Sequence, residues 1–259
     1  MSGSAPIVEL DDVRLAFGEN RILCGVDLSL SQGERLVVLG QSGGGKSTLL
    51  RLILGILKPN QGSVKFKGLV VSRMGRRDLN KMRQKIGMVY QNSALISSLN
   101  VRDNLALPLE ELTDKPAQEI DELVMQKLEM VGMADARDKM PGELSGGMRK
   151  RVGLARGIMM DPELILFDEP SAGLDPVISS VIDELIIGLS EKIGATSIIV
   201  THEMESAFRI GTRMAMLFKG EIIAEDTPDN FRDHPHPVVA QFISGATEGP
   251  ILEGSNANS

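Results

Sequence analysis

Between positions 40 and 48 the chain reads Gly40-Gln41-Ser42-Gly43-Gly44-Gly45-Lys46-Ser47-Thr48. This matches the pattern G-x-x-x-x-G-K-[ST], and its flanks supply the context that pattern needs. Arg35-Leu36-Val37-Val38-Leu39 before it reads as a buried strand, and the apolar run from Lys46 to Leu54 after it is compatible with a helix. Glycines let successive backbone N–H groups turn toward one point, and a helix N-terminus adds the positive end of its dipole. A strand, glycine loop and helix in that order form a phosphate cradle. Lys46 can reach the β- and γ-phosphates of a nucleotide, and the Ser47 hydroxyl can ligate Mg²⁺.

A chain of 259 residues with 42% hydrophobic content has material for a sizeable core. Aromatics make up only 3% and Trp is absent, so that core must come from aliphatic side chains and the 14 Met. A net charge of −7 argues against a general nucleic-acid binder. The one cysteine, Cys24, excludes an internal disulfide and reads as a small buried hydrophobe. Met1-Ser2-Gly3-Ser4-Ala5-Pro6 lacks the basic and apolar regions of a secretory leader, and no apolar run approaches a membrane span. These features predict a soluble protein, or one held at a membrane by a partner.

Ile7–Phe17 and Val26–Leu30 alternate well enough for strands, with Gly18-Glu19-Asn20 as a turn, so an antiparallel layer precedes the phosphate loop. Phe17 ends the first strand; spacing alone leaves open whether its ring stacks on a purine or packs in a core. Pro59-Asn60-Gln61-Gly62 turns into a strand over 63–67. Arg73, Arg76, Arg77, Lys81, Arg83 and Lys85 form a basic run, read as a solvated helix face, with an anionic lipid or partner contact as the alternative. Ile86–Tyr90 is a short strand candidate ending at Gln91. From Asn92 to Arg156 the pattern becomes helical, with Ile120, Leu123, Val124, Lys127, Leu128 and Val131 at helical spacing. Pro141-Gly142 breaks it, and Ser145 is a good N-cap for a helix through Met159 that carries Arg149, Lys150 and Arg151. Strand runs at 164–167 and 197–200 flank a helix at 177–189, and 213–218 and 221–224 form a hairpin around Lys219-Gly220. Strands alternating with helices predict a mostly parallel α/β sheet with ligands at the strand C-terminal ends. His234 and His236 sit between prolines in a segment with too few ligands for a metal site. After Phe242 the composition turns polar and Gly-rich, which predicts a poorly ordered tail.

Asp168 ends an apolar strand downstream of the phosphate loop, where nucleotide-hydrolysing α/β domains place an acidic partner for Mg²⁺. Glu169 beside it can orient and deprotonate a water. Leu144-Ser145-Gly146-Gly147-Met148 is a second glycine-containing helix start that can offer N–H groups and a hydroxyl to phosphate. It lies far from Lys46 in sequence, which suggests a site shared between two chains.

Taken together, these motifs resemble the nucleotide-binding subunit of an ABC transporter, over roughly residues 7–245. Gly40–Thr48 matches the phosphate loop, Gln91 the Q-loop, and Leu144–Met148 the signature. Leu164-Ile165-Leu166-Phe167-Asp168-Glu169-Pro170 matches the second nucleotide motif with its catalytic Glu, Ser171-Ala172-Gly173-Leu174-Asp175 the D-loop, and His202 the switch histidine. The resemblance implies a P-loop, RecA-like α/β ABC ATPase core with an N-terminal antiparallel β layer and an inserted helical subdomain. Residues 1–244 would form that single domain, with the helical subdomain at about 92–157 and a C-terminal tail at 245–259. It implies ATP and Mg²⁺ as ligands and a head-to-tail homodimer. Gly40, Gln41, Ser42, Gly43, Gly44, Gly45, Lys46, Ser47 and Thr48 would cradle the phosphates, and Ser47, Gln91 and Asp168 would hold the metal. Lys46, Gln91, Glu169 and His202 would be catalytic, and Ser145, Gly146 and Gly147 would come from the other subunit. Phe17 stands where the family stacks an aromatic on adenine.

Met148 in the signature, the phrase Ala94-Leu95-Ile96-Ser97-Ser98-Leu99-Asn100-Val101 and the ending Gln241-Phe242-Ile243-Ser244-Gly245 are similar to the Mla-type ATPases. Those energise phospholipid movement between the inner and outer membranes. That resemblance implies an integral-membrane permease, an MCE-domain lipid-binding protein and a small STAS-domain protein as partners, no nucleic acid, and a place on the cytoplasmic face of the inner membrane. It also implies that Pro250-Ile251-Leu252 reaches across to the partner subunit. The alternatives are an osmoprotectant or amino-acid importer, which also use the signature Met, and a non-transport ABC ATPase. Against the last stand the single cassette and the lack of a sustained heptad run.

Overall fold

In the computed structural model the described residues are 5–253. Two sheets and a set of helices make up most of them. β1 (Val8–Phe17) and β2 (Asn20–Leu30) pair antiparallel; with β4 (Gln61–Phe66) and β5 (Leu69–Val70) they make a four-stranded sheet in the order β2-β1-β4-β5. β2 starts six residues earlier than its alternation suggested. Pairing runs from Phe17↔Asn20 through register shifts near Val13 and Leu15, and those irregularities interrupt the period of two. Cys24, expected to be buried, is only partly so.

The second sheet holds β3 (Arg35–Leu39), β6 (Ile86–Val89), β7 (Leu164–Asp168), β8 (Thr196–Thr201), β9 (Arg213–Phe218) and β10 (Glu221–Asp226), in the order β10-β9-β3-β8-β7-β6. Every pairing among β9, β3, β8, β7 and β6 is parallel; only the β9–β10 hairpin is antiparallel. β3 shows why this sheet sits at the centre. Leu36, Val37, Val38 and Leu39 are all fully buried, and they alternate between two cores. Leu36 and Val38 face α1 (Lys46–Ile53) and the antiparallel sheet; Val37 and Leu39 face the helices of the opposite side.

That opposite side contains α3 (Val101–Leu112), α4 (Ala117–Met130), α5 (Gly146–Gly157), α6 (Pro176–Ile193) and α7 (Met204–Ile210). α2 (Arg76–Arg83) precedes β6 and carries Arg76, Arg77, Lys81 and Arg83 of the basic run. Arg83 in it is structural: its guanidinium donates to the Leu54 and Gly55 carbonyls at 3.0 and 3.1 Å, closing the end of α1. Arg73, Arg76, Arg77, Lys81 and Lys85 are exposed. Lys127, the cation in the apolar stripe of α4, is buried with its ammonium 2.5 Å from Asp161. His234 and His236 serve the backbone. His236 Nδ1 accepts from the Val238 N–H at the start of α9 (Pro237–Ser244), and His234 Nδ1 accepts from the His236 N–H.

The tail departs from expectation. After α8 (Pro228–Arg232) and α9, residues Pro250–Glu253 form a short helix, α10, folded back on α9. The buried Gln241 amide holds it, donating to the Ala246 carbonyl and accepting from the Ile251 N–H at 2.8 Å. Ile251 is buried in the same core as Val238 and Val239, while Leu252 stays exposed. Burying a side chain the size of Ile stabilises by about 1.5–3 kcal/mol, and here that gain is realised within the chain rather than across a dimer.

α5 and β6 approach so closely that glycine is required. A Cβ on Gly87 would lie 2.1 Å from the Gly157 carbonyl oxygen. Backbone cannot yield as a flexible side chain does. Gly87→Ala should therefore lower unfolding stability by about 1–3 kcal/mol or more, read from denaturant midpoints. An unchanged midpoint would mean that α5 and β6 are less tightly apposed.

Candidate functional site

Three strand tips of the parallel sheet meet at one edge. β3 runs into the glycine loop and α1, β7 ends at Asp168, and β8 ends at Thr201 beside His202. Gly45, immediately before α1, has φ 98°, a left-handed conformation that glycine adopts without strain. Ser42, Gly43, Gly45, Lys46, Ser47, Thr48, Gln91, Glu169 and His202 line a cavity of about 260 Å³.

Lys46 is buried, and its ammonium donates to the Gly40 and Gln41 carbonyls at 2.7 and 3.1 Å. It stands 3.5 Å from Glu169 Oε1. Burial pushes the Lys46 ammonium below the ordinary lysine range, and the Glu169 charge opposes that shift. The other carboxylate oxygen of Glu169 lies 2.9 Å from His202 Nδ1 and accepts a longer bond from the His202 backbone N–H. One carboxylate thus joins the phosphate-loop lysine to the histidine at the tip of β8. Ser47 Oγ donates to Asp168 Oδ1 at 2.8 Å. This hydroxyl–carboxylate pair at the foot of the cavity is a hard-oxygen donor set that fits Mg²⁺. The buried lysine and the glycine loop fit a polyphosphate.

The remaining sequence candidates are placed differently. Gly44 bonds back to the Gln41 carbonyl at 3.0 Å and shapes the loop. Gln91 lines the cavity. Phe17 stands exposed at the end of β1 with its ring in solvent. Ser145 caps α5, its hydroxyl accepting from the Met148 N–H at 3.3 Å. Ser145 and Gly147 line a separate hollow with Lys139 and Arg151, away from Lys46. A single copy of the chain does not bring the second glycine motif to the first.

Two sets of groups, each built around one buried charge, escaped the sequence reading. The first is on α5. Lys150 donates to the carbonyls of Gln91 at 2.5 Å and Glu169 at 3.3 Å, and Arg156 donates to those of Ser93 and Ala94, both at 2.7 Å. Ser93, Ala94 and Glu169 all have φ between 48° and 56° or so near it (56°, 48° and 49°), a left-handed backbone that costs a non-glycine residue about 1–3 kcal/mol. Lys150 lies three and four positions before Gly153 and Leu154 on the buried face of α5, and that spacing was the available signal.

The second set links the D-loop to the histidine segment. Asp183 on α6 is fully buried; its Oδ2 accepts from Ser206 Oγ at 2.8 Å and from Arg209 at 2.7 Å. Ser206 Oγ lies 3.4 Å from Ser171 Oγ, which donates to Glu203 beside His202 at 2.9 Å. Burial raises the Asp183 carboxyl above its ordinary range, against the pull of Ser206 and Arg209. A carboxylate amid Ser179, Ile182, Ile186 and Ser190 on one helical stripe was legible as an anomaly.

Residues 23–172 match the family model described as ABC transporter. The probable ribonucleotide transport ATP-binding protein mkl of Mycobacterium leprae is 40% identical over 94% of this chain and 70% of its own length. The intermembrane phospholipid transport system ATP-binding protein MlaF of Escherichia coli K12 is 38% identical over 95% of this chain and 92% of its own. Among solved structures, cbiO1 of Clostridium perfringens, part of the ABC transporter complex cbiONQ, superposes with a TM-score of 0.83 at 29% identity, covering 89% of this chain and 92% of that one. An ATP-binding cassette solved as a dimer in a post-hydrolysis state with ADP and Pi gives 0.77 at 32%, covering 85% and 98%. A phosphate loop facing an Asp-Glu strand tip and a histidine, within a fold and sequence shared with these cassettes, places the chain in the ABC transporter family as an ATP-hydrolysing, nucleotide-binding subunit.

Proposed function

We propose that this ATPase energises phospholipid transport between two membranes. The observation that carries the reading is its likeness to MlaF along nearly the full length of both chains. The mkl relatives are covered over a smaller share of their length, 70% for that of Mycobacterium leprae. No helix among the described residues is long and apolar enough to cross a membrane, so the lipid path belongs to a permease to which this subunit docks. An MCE-domain protein and a small STAS-domain protein complete the proposed assembly, at the cytoplasmic face of the inner membrane.

The proposed chemistry assigns each group by its place. The loop amides of 40–48 and the Lys46 ammonium bind the ATP phosphates, and Phe17 stacks on adenine. Ser47, Asp168 and Gln91 would hold Mg²⁺, which would offset charge on the phosphates. Glu169 takes a proton from the attacking water as its oxygen bonds to the γ-phosphorus; the bond to the bridging oxygen breaks, and ADP and phosphate leave. His202, against Glu169, fixes that carboxylate and meets the γ-phosphate. Ser145, Gly146 and Gly147 of a second copy close the site.

Glu169→Gln keeps the shape and removes the base, so kcat should fall by about 10²–10⁴-fold with ATP affinity retained. Lys46→Ala should instead weaken ATP binding itself. Titration with labelled nucleotide and single-turnover hydrolysis separate the two; hydrolysis by Glu169→Gln at the wild-type rate would refute the assignment. The shared site is testable by mixing. A Lys46→Ala subunit paired with a Ser145→Arg subunit leaves one site with both lesions and one with neither. Partial activity should return, and none returning from demonstrated heterodimers would refute a site completed in trans. The transport reading is tested with the permease that co-purifies with the chain, reconstituted in vesicles. Phospholipid should raise ATPase activity, and labelled phospholipid should move only with ATP. Stimulation by ribonucleotides, betaine or amino acids without lipid movement would overturn it.

A further inference from the structure

Of the four basic residues in α5, Lys150 alone is buried, with 7% of its surface exposed. A buried ammonium normally carries a carboxylate partner. Among the described residues none lies within ion-pair distance of Lys150; Glu169 and Glu203 act on it only at longer range. Its partners are instead two backbone carbonyls from separate segments, Gln91 at 2.5 Å and Glu169 at 3.3 Å. Burial pushes this ammonium below the ordinary lysine range. A neutral apolar side chain would avoid that desolvation, so the charge is spent on what it holds.

Both carbonyls sit where position matters. Glu169 has a left-handed backbone, φ 49°, and its side chain stands between Lys46 and His202. Its carbonyl also accepts a 3.3 Å bond from the Ala172 N–H. Gln91 opens the segment whose Ser93 and Ala94 are also left-handed and are held by Arg156 from the same helix. Lys150 stands five residues along α5 from its cap Ser145, a rise of about 7.5 Å. One stiff helix therefore connects the second glycine motif to the Gln91 segment and to the Glu169 backbone.

We propose that Lys150 is a positioning residue for hydrolysis, pinning the carbonyls of Gln91 and Glu169 to the helix that begins at Ser145. It does not touch the reacting atoms. It fixes where Glu169 and Gln91 stand, and it makes their position depend on where the Ser145 end of α5 sits. The role rests on the assignment of Glu169 as general base, and it accounts for a buried charge that this assignment leaves unused.

The test compares Lys150→Met, Lys150→Gln and Lys150→Arg in the purified full chain with saturating Mg-ATP. Met keeps the unbranched stem and loses the charge. Its kcat should fall by about 10–100-fold while the dissociation constant for ATP changes by less than about threefold. Arg should restore most of the rate, and Gln, whose amide reaches one carbonyl at best, should fall between. Hydrogen exchange supplies a readout that general destabilisation would not reproduce: amides of 91–94 and 169–172 should exchange faster in Lys150→Met, with β8 unchanged. Wild-type kcat in Lys150→Met overturns the proposal. So does a joint loss of ATP affinity, kcat and β8 protection in both Met and Gln variants, which would make Lys150 a support of the fold alone. Glu169→Gln run in parallel keeps the assignments separable. A wild-type rate there refutes the general base, whereas Lys150 is judged on its own variants.

Discussion

The site depends on three strands lying side by side with the same polarity. β8 sits between β3 and β7, paired in register Leu39↔Thr201 on one side and Asp168↔Val200 on the other. Parallel ladders hold neighbours about 4.8 Å apart and end all three strands at the same edge. Lys46 follows the first strand, Glu169 the second and His202 the third, so the carboxylate from β7 has only to cross β8 to reach the lysine. One of its oxygens faces Lys46 and the other His202. The bond from Ser47 to Asp168 joins residues 121 apart in sequence, and the same ladder makes it inevitable. A slip of one residue in β7 would turn Asp168 to the opposite face of the sheet and lose that bond.

This explains which parts of the site were legible in the chain. Strand tips carrying Lys46, Asp168, Glu169 and His202 follow apolar runs, and the rule that parallel sheets bind ligands at their C-terminal edge places them together. The β layers, the central strand 35–39 and the Ser145 cap are local patterns and were readable for the same reason. The seating of the tail was not. Composition after Phe242 argues for disorder, and it says nothing about a Gln241 amide able to accept from Ile251 and donate to Ala246. Lys150 and Asp183 were hidden by their type. Charge reads as surface, and only their register against buried neighbours on α5 and α6 gives them away.

The groups that the sequence concealed are those that hold the loops still. Glu169, Ser93 and Ala94 occupy backbone conformations that favour glycine, yet none is glycine. Each such residue is held only if surrounding contacts over-determine it. The contacts are specific here: the Glu169 N–H donates to the Val200 carbonyl at 2.9 Å, and Lys150 and Arg156 supply cations to the carbonyls. Burial pushes the Arg156 guanidinium down as it does the Lys150 ammonium; Lys150 is buried and Arg156 half-buried. Hydrogen bonds from charged donors to neutral carbonyls are strengthened in such surroundings.

Packing on the other flank works by contact rather than by charge. Gly147 in the second motif faces Ile178 of α6 so closely that a Cβ there would lie 2.9 Å from its methyl. α6 in turn carries Asp183, whose partners Ser206 and Arg209 lie on α7, just beyond His202. The helix bearing the second motif is therefore coupled to the cavity from two sides: by Lys150 to Gln91 and Glu169, and through α6 and Asp183 to the segment after His202. Neither route passes through the phosphate loop, which is anchored on β3 and α1 in the other core. The helix behind the phosphate cradle and the helices behind the groups that face it thus pack on opposite faces of one shared sheet, and the two sets of groups come together at its strand tips. A ligand bridging Lys46 and the second copy's Ser145 would load that junction directly. Loop residues held by a few strong bonds respond to such a load more readily than the fully buried strands beneath them.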